Sequence, residues 1–266
     1  MKYLSLAFFA LLLVGCSSGP RIDHSYTASG QSSRVQYIVL HYTSTDLPHS
    51  LQLLTKEEVS AHYLINAVPP TIYQLVDENR RAWHAGVSEW QGRTWLNGTT
   101  IGIELINQGY FDTPKGRYWQ PYAQPQIDAL IVLLKDIMQR HKLPPGSIIG
   151  HSDIAPQRKV DPGPLFPWKQ LADAGLMPWP NAEVVARQQA VFSVSLPSVA
   201  WFQEQLAEQG YAVPRSGMFD EETRNVIRAF QMKYRQALYD GQPDAETAAL
   251  LLEVNRLSKS LSLIHI

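Results

Sequence analysis

Residues Thr100 to Ile106 read Thr-Ile-Gly-Ile-Glu-Leu-Ile, an apolar run interrupted by one carboxylate. A short run that is apolar at odd and even positions alike fits a strand buried on both faces. Such a strand needs layers of structure above and below it. Val35 to Tyr42 alternates, is rich in β-formers and gives an earlier strand that ends near His41. Ser147 to Gly150 gives a last one, which delivers His151 at its end. Between them Gln124 to His141 carries Ile127, Leu130, Ile131, Leu134, Ile137 and Met138 on one helical stripe, closed by Pro144-Pro145. Thr55-Lys-Glu-Glu58 matches a capping box and predicts a short helix there. Tyr63 to Val68 and Thr71 to Val76 flank Pro69-Pro70 as a hairpin. Trp83 to Gly98 is a long loop, and Pro167 to Ala174 a short helix stopped by Gly175. Strands and helices interleave without strict βαβ repetition. The expected class is therefore α/β, a mixed central sheet flanked by helices, over residues 34–180.

Composition narrows the class of function. Of 266 residues, 45% are hydrophobic and 18% charged, which suits one or two domains with real cores. A net charge of −1 leaves no basic stripe for nucleic acid, and Arg80-Arg81 reads as an ordinary solvated pair. Cys16 is the single cysteine. An intrachain disulfide is excluded, as is a thiolate metal ligand in the folded body.

The amino terminus reads as an export signal over residues 1–16. Met1-Lys2 precedes the apolar segment Tyr3 to Val14, which is too short to span a bilayer comfortably. Leu13-Val14-Gly15-Cys16 resembles the bacterial lipobox, whose cysteine receives lipid. Ser17 after it, rather than Asp, implies the outer membrane, with the chain at its periplasmic face. Residues 17–33 are rich in Ser, Gly and Thr and read as a flexible tether. At the other end, Leu261-Ser-Leu-Ile-His-Ile266 matches one reading frame of a transposon end used in sequencing libraries. That hexapeptide is expected to carry no function.

Beyond Met177 the composition shifts. Residues 181–196 read as a linker with one helix. Residues 197–257 then contain an internal repeat, Gly217-Met-Phe-Asp-Glu-Glu-Thr223 and Gly241-Gln-Pro-Asp-Ala-Glu-Thr247. Each copy places an Asp as cap before a helix. Phe219, Val226, Ile227 and Phe230 supply one apolar face, Trp201, Phe202, Leu206 and Tyr211 another, and Leu250 to Val254 a third. The expected unit is a small three-helix domain.

The chemistry concentrates at the strand ends. His41, His151 and Asp161 offer two imidazoles and a carboxylate, enough to hold one zinc ion with a fourth position open for water. A structural site would close all four positions, so an open one points to hydrolysis. Glu104 sits in the buried strand, where a carboxylate is costly unless it faces a cleft or a partner. It is a candidate general acid/base, with a buried ion pair as the alternative. Lys159, two residues before Asp161, can face the same side of an extended loop and stabilise an oxyanion, or face solvent. Arg158 is a candidate for bidentate binding of a substrate carboxylate, a surface role being the alternative. His62 and His84 either line the cleft and touch substrate or orient a neighbour. His49 in a loop and His141 at a helix end are not expected to ligate.

Several segments together resemble the zinc-dependent N-acetylmuramoyl-L-alanine amidases of type 2, which share a fold with peptidoglycan recognition proteins. They are Ile38-Val-Leu-His41-Tyr42, Val59-Ser-Ala-His62-Tyr-Leu-Ile65, Ala82-Trp-His84-Ala-Gly86, Ile101-Gly-Ile-Glu104 and His151-Ser-Asp-Ile-Ala-Pro-Gln-Arg-Lys159-Val-Asp161-Pro-Gly-Pro164. The likeness spans about Val35 to Trp179. It is strongest to family members that are outer-membrane lipoproteins with a carboxy-terminal peptidoglycan-binding domain. The repeat is similar to peptidoglycan-binding domains of type 1. The resemblance implies that His41, His151 and Asp161 hold zinc, that Glu104 is the acid/base and that Lys159 is the polarising cation. It implies peptidoglycan and muropeptides as partners. The reaction implied is hydrolysis of the amide between the lactyl group of muramic or anhydro-muramic acid and L-alanine. A metal-dependent deacetylase or peptidase of the wall, and a wall-binding lipoprotein that does not cleave, are the rival readings. A serine hydrolase is disfavoured by the absence of a G-x-S-x-G elbow.

Overall fold

The computed structural model describes residues 19–264 apart from Lys115, with residues 261–264 as helix backbone only. Cys16, the signal segment around it and the side chains of the terminal hexapeptide lie outside the described residues. The chain divides into two units, residues 1–32 and 33–266. In the first, residues 19–32 carry no helix or strand, and the Asp23 carboxylate accepts from the Ser25 N–H and hydroxyl.

In the second unit a five-stranded mixed sheet runs in the order β3-β2-β4-β1-β7. β1 (Tyr37–Tyr42) lies parallel between β4 (Thr100–Leu105) and β7 (Ile148–Gly150). β2 (Tyr63–Ile65) runs parallel to β4, and β3 (Ile72–Gln74) closes the edge antiparallel to β2. A separate ribbon is formed by β5 (Tyr110–Thr113) and β6 (Gly116–Trp119).

Alternation along the strands decides what each face of the sheet touches. Ile38, Leu40, Ile101, Ile103 and Leu105 pack with Ile127, Leu130, Leu134 and Ile137 of α2 (Gln124–His141), the helix the apolar stripe predicts. Val39 and Ile149 belong instead to a cluster with Phe202, Leu206, Phe230 and Leu251 from the carboxy-terminal helices. β1 is thus buried on both faces, one of them covered by the region beyond residue 180. Among the described residues no helix is long and apolar enough to cross a membrane.

The first helix departs from expectation. α1 spans Leu47–Lys56, so Thr55 lies near its end rather than at a capping box. Asp46 is the cap, its carboxylate accepting from the His49 N–H, and Pro48 sits in the first turn, where its missing N–H leaves no bond unmade. His49 is therefore helical, and exposed.

α3 (His151–Ile154) follows β7 directly, and α4 (Trp168–Asp173) lies where a short helix is expected. The linker segment is mostly one helix, α5 (Ala182–Val194), with Asn181 as cap. Then come α6 (Val199–Gln209), α7 (Glu221–Tyr234) and α8 (Ala245–Ile264).

The internal repeat has a structural cause. Asp220 and Asp244 each accept the N–H of a threonine three residues on, Thr223 and Thr247, at 2.8 Å. A buried glutamine from the preceding helix clamps each loop. Gln203 accepts from the Gly217 N–H and donates to Thr223 Oγ1, while Gln231 accepts from the Gly241 N–H and donates to Thr247 Oγ1. Both glycines adopt positive φ, 71° and 76°, which a side chain would disfavour.

Glu78 ties the hairpin to the end of α2. It is 8% exposed, and its carboxylate accepts from the Tyr63 hydroxyl at 2.7 Å, from Arg140, and from His141 Nε2 at 2.8 Å. Burial alone would raise its pKa, but the bonds from Arg140, Tyr63 and His141 outweigh it and hold the group at about 2. A depressed carboxylate stabilises the fold above its unfolded pKa, and that contribution disappears as pH falls from about 4.5 towards 2. Glu78→Gln should lower stability at pH 7 by on the order of 2 kcal/mol and flatten the acid limb of the stability–pH curve. Denaturant titrations at pH 7 and pH 3 check this; equal loss at both would contradict it.

Candidate active site

β1 and β4 pair in parallel with His41 opposite Glu104. Paired residues in parallel strands project to the same face, here the one away from α2. β7 lies on the other side of β1, and the chain turns from it into α3, whose first residue is His151. The segment after α3 doubles back, and the Ser152 N–H donates to the Asp161 carbonyl at 2.8 Å. Three chain segments thus bring their side chains to one point.

His41 Nδ1 lies 2.9 Å from His151 Nδ1 and 3.2 Å from Asp161 Oδ2, and His151 Nδ1 lies 3.0 Å from Asp161 Oδ2. All three residues are buried. Ligands on a tetrahedral ion with bonds of about 2.0–2.1 Å stand about 3.3 Å apart, so the observed triangle suits a small divalent cation. The outer ring nitrogens agree. His151 Nε2 is 3.3 Å from the Ala85 carbonyl, and a proton donated to that carbonyl leaves Nδ1 a bare lone pair.

His41 is set by a longer relay. Its Nε2 lies 3.0 Å from His84 Nδ1, His84 Nε2 lies 3.1 Å from Thr100 Oγ1, and Thr100 Oγ1 donates to the Leu96 carbonyl at 2.7 Å. A carbonyl only accepts, so every proton in the chain points away from the site and His41 Nδ1 is also a lone pair. Burial, with His151 beside it, lowers the His41 pKa to about 4, so the imidazole is neutral at pH 7, as a ligand must be. Burial opposes ionisation of Asp161, but the two histidines overcome this and hold its carboxyl far below the usual range.

The donors open into a cleft of about 470 Å³ that also takes in Tyr42, Ser50, Trp83, Tyr110, Arg158, Lys159 and Glu104. Glu104 Oε2 is buried with no hydrogen-bond partner. Burial and the nearby Asp161 charge raise its pKa to about 8, with Lys159 pulling the other way. A carboxylate left unpaired and aimed at a cleft is suited to taking and returning a proton. The ion-pair alternative for Glu104 does not describe this arrangement.

The three candidates for substrate contact occupy different places. His62 is fully buried and does not line the cleft; its Nδ1 accepts from the Gly102 N–H and its Nε2 donates to the Arg80 carbonyl. His84 reaches the cleft, but both of its nitrogens belong to the relay, which leaves it no polar atom for substrate. Arg158 borders the cleft, and its Nε and one terminal nitrogen donate to the Val87 and Ala85 carbonyls, which ties it to that loop. Sequence reasoning also missed Thr100 and Gly102. A Cβ on Gly102 would fall 2.4–2.6 Å from the His84 ring. Gly102→Ala should therefore displace His84, loosen His41 and weaken metal binding by roughly 10–100-fold, the usual effect of losing an outer partner of a ligand. Competition with a chelating dye measures this, and an unchanged affinity would exclude the relay as a support of His41.

Residues 31–164 match the family model described as N-acetylmuramoyl-L-alanine amidase (Amidase_2). Residues 195–251 match a peptidoglycan binding domain model. The chain belongs to the N-acetylmuramoyl-L-alanine amidase family. It is 44% identical over 264 residues to the N-acetylmuramoyl-L-alanine amidase AmiD of Escherichia coli K12, covering 94% of this chain and 95% of that one. The solved complex of that enzyme with anhydro-N-acetylmuramic acid-L-Ala-D-γ-Glu-L-Lys superposes with a TM-score of 0.82, covering 90% of this chain and 95% of that one. AmpDh3 from Pseudomonas aeruginosa in complex with anhydromuramic pentapeptide is similar at a TM-score of 0.83 and 41% identity, covering 90% and 98%.

Proposed function

We propose that this chain hydrolyses the amide joining the lactyl group of muramic or anhydro-muramic acid to the L-alanine of peptidoglycan stem peptides, with one zinc ion held by His41, His151 and Asp161. The observation that carries the reading is the unpartnered Glu104 carboxylate, in register with His41 and opening on the same cleft as the three donors. Zinc, when bound, supplies Lewis acidity that polarises a carbonyl and makes water a nucleophile near neutral pH. Glu104 accepts a proton from the attacking water and returns it to the leaving L-alanine nitrogen. Lys159, half-buried on the cleft wall, places a cation where negative charge develops on the carbonyl oxygen. His84 and Thr100 hold His41 in the ligating tautomer.

Residues 34–180 form the catalytic part in this reading, 181–196 the connection and 197–257 a peptidoglycan-binding part that keeps the enzyme on its polymeric substrate. Lipid on Cys16 holds the protein at the periplasmic face of the outer membrane, and residues 17–33 give it reach. Digestion of purified wall, followed by mass spectrometry, tests the reaction. Free stem peptides with an L-alanine amino terminus are expected. Release of acetate or of shortened peptides instead would assign the site to a deacetylase or a peptidase.

A further inference from the structure

His151 opens α3, a helix of four residues, His151–Ile154. So short a helix is not stable alone. Its cap residue is Gly150, which has no side chain to satisfy the first N–H groups. The Asp153 carboxylate reaches back instead, accepting the Gly150 N–H on Oδ2 at 2.8 Å. That bond fixes the backbone immediately before His151.

Asp153 is 1% exposed, and its other partners come from the carboxy-terminal region. The Tyr211 hydroxyl donates to Oδ1 at 2.7 Å, and Lys233 Nζ donates to Oδ2 at 2.9 Å. Lys233 is itself buried, 4.4 Å from the Trp168 ring centroid, with the Ile148 carbonyl of β7 at 3.4 Å. Tyr211 follows the end of α6 and stands edge-on to Trp90 at 4.9 Å. A buried carboxylate that loses its cation is left uncompensated and must shift. That shift would loosen its hold on the Gly150 N–H and on the start of α3.

We infer that Tyr211 and Lys233 are positioning residues for the metal site, acting on His151 through Asp153, so that the helical region completes the site as well as holding wall. This rests on the reading of His151 as a metal ligand. Ligand geometry tolerates only fractions of an ångström, which makes such support visible in metal affinity.

The test measures the zinc dissociation constant of the full chain by competition with a chelating dye, alongside thermal unfolding. Lys233→Met keeps the stem over Trp168 and removes the charge. Tyr211→Phe removes one oxygen and keeps the ring, so it carries the test if Lys233→Met does not fold. Gln236→Ala is the control, since Gln236 donates to the Phe166 carbonyl across the same interface without touching Asp153. Tyr211→Phe and any folded Lys233→Met should each bind zinc at least about 10-fold more weakly, with Gln236→Ala unchanged. An affinity for Tyr211→Phe or folded Lys233→Met within twofold of the unaltered chain, or equal weakening in Gln236→Ala, overturns the inference. An unaltered chain that holds no zinc would overturn the metal reading itself, a different result.

Discussion

Glu104→Gln is expected to retain the metal and lose turnover by about 10²–10⁴-fold, the usual contribution of a positioned acid/base, or roughly 3–5 kcal/mol of barrier. Glutamine fills the same volume but cannot shuttle a proton. Because Glu104 is not one of the three donors, its replacement leaves their spacing intact. A second, independent signature follows from its pKa of about 8. In the metal-free protein the folded state keeps a proton that the unfolded chain releases near 4.5. Stability associated with that proton is fully present below pH 4.5 and is lost as pH rises towards 8. Glu104→Gln removes this loss, so the metal-free variant should be more stable than the parent at pH 8, by on the order of 1–2 kcal/mol after discounting for solvent at the cleft, and not at pH 4. Activity has the opposite dependence, because the carboxylate must be ionised to accept a proton; its rising limb lies below pH 8 once a bound cation favours the charged form. A variant with parental turnover, or with no gain in metal-free stability at pH 8, would take Glu104 out of the role assigned to it.

What could be read in the chain follows from how local each signal is. The alternation of Val39 and His41 against Ile38 and Leu40, and of Glu104 against Ile103 and Leu105, is a property of neighbouring residues and survives into the sheet. The stripe of α2 likewise lies within one element. His62 and His84 were harder, because a histidine beside a cleft and a histidine behind it have the same neighbours in sequence. What separates them is Gly102, whose N–H binds His62 and whose missing side chain admits the His84 ring. The capping pattern at Thr55 misled because any Thr-x-x-Glu satisfies it, whereas Asp46 with Pro48 placed the true start of α1. The repeat was visible as glycine, aspartate and threonine, but Gln203 and Gln231, which make those residues necessary, stand 14 and 10 positions earlier, outside the motif. Asp153 and Lys233 are 80 residues apart, and nothing local links them.

His41→Ala should empty the site. Two neutral imidazole lone pairs 2.9 Å apart, with a carboxylate oxygen at 3.0–3.2 Å, repel one another unless a cation lies between them. Binding energies of roughly 10–16 kcal/mol for four-ligand zinc sites put one ligand at about 3 kcal/mol, or about 10²-fold in affinity. His41 should exceed that share, because its removal also leaves His84 Nδ1 without its donor and frees the relay through Thr100. The consequence is measurable without substrate. Zinc in excess stabilises a protein that binds it only when folded, by about 4 kcal/mol at a thousandfold excess over the dissociation constant. The unaltered chain should therefore melt at a higher temperature with zinc than with a chelator, and His41→Ala should keep at most about a third of that gain. Turnover of the unaltered chain should vanish with the chelator and return with zinc, while His41→Ala should stay at background throughout. A His41→Ala protein that gains as much stability from zinc as the unaltered chain would mean that His151 and Asp161 grip the ion with some other residue, and the arrangement of ligands described above would have to be redrawn.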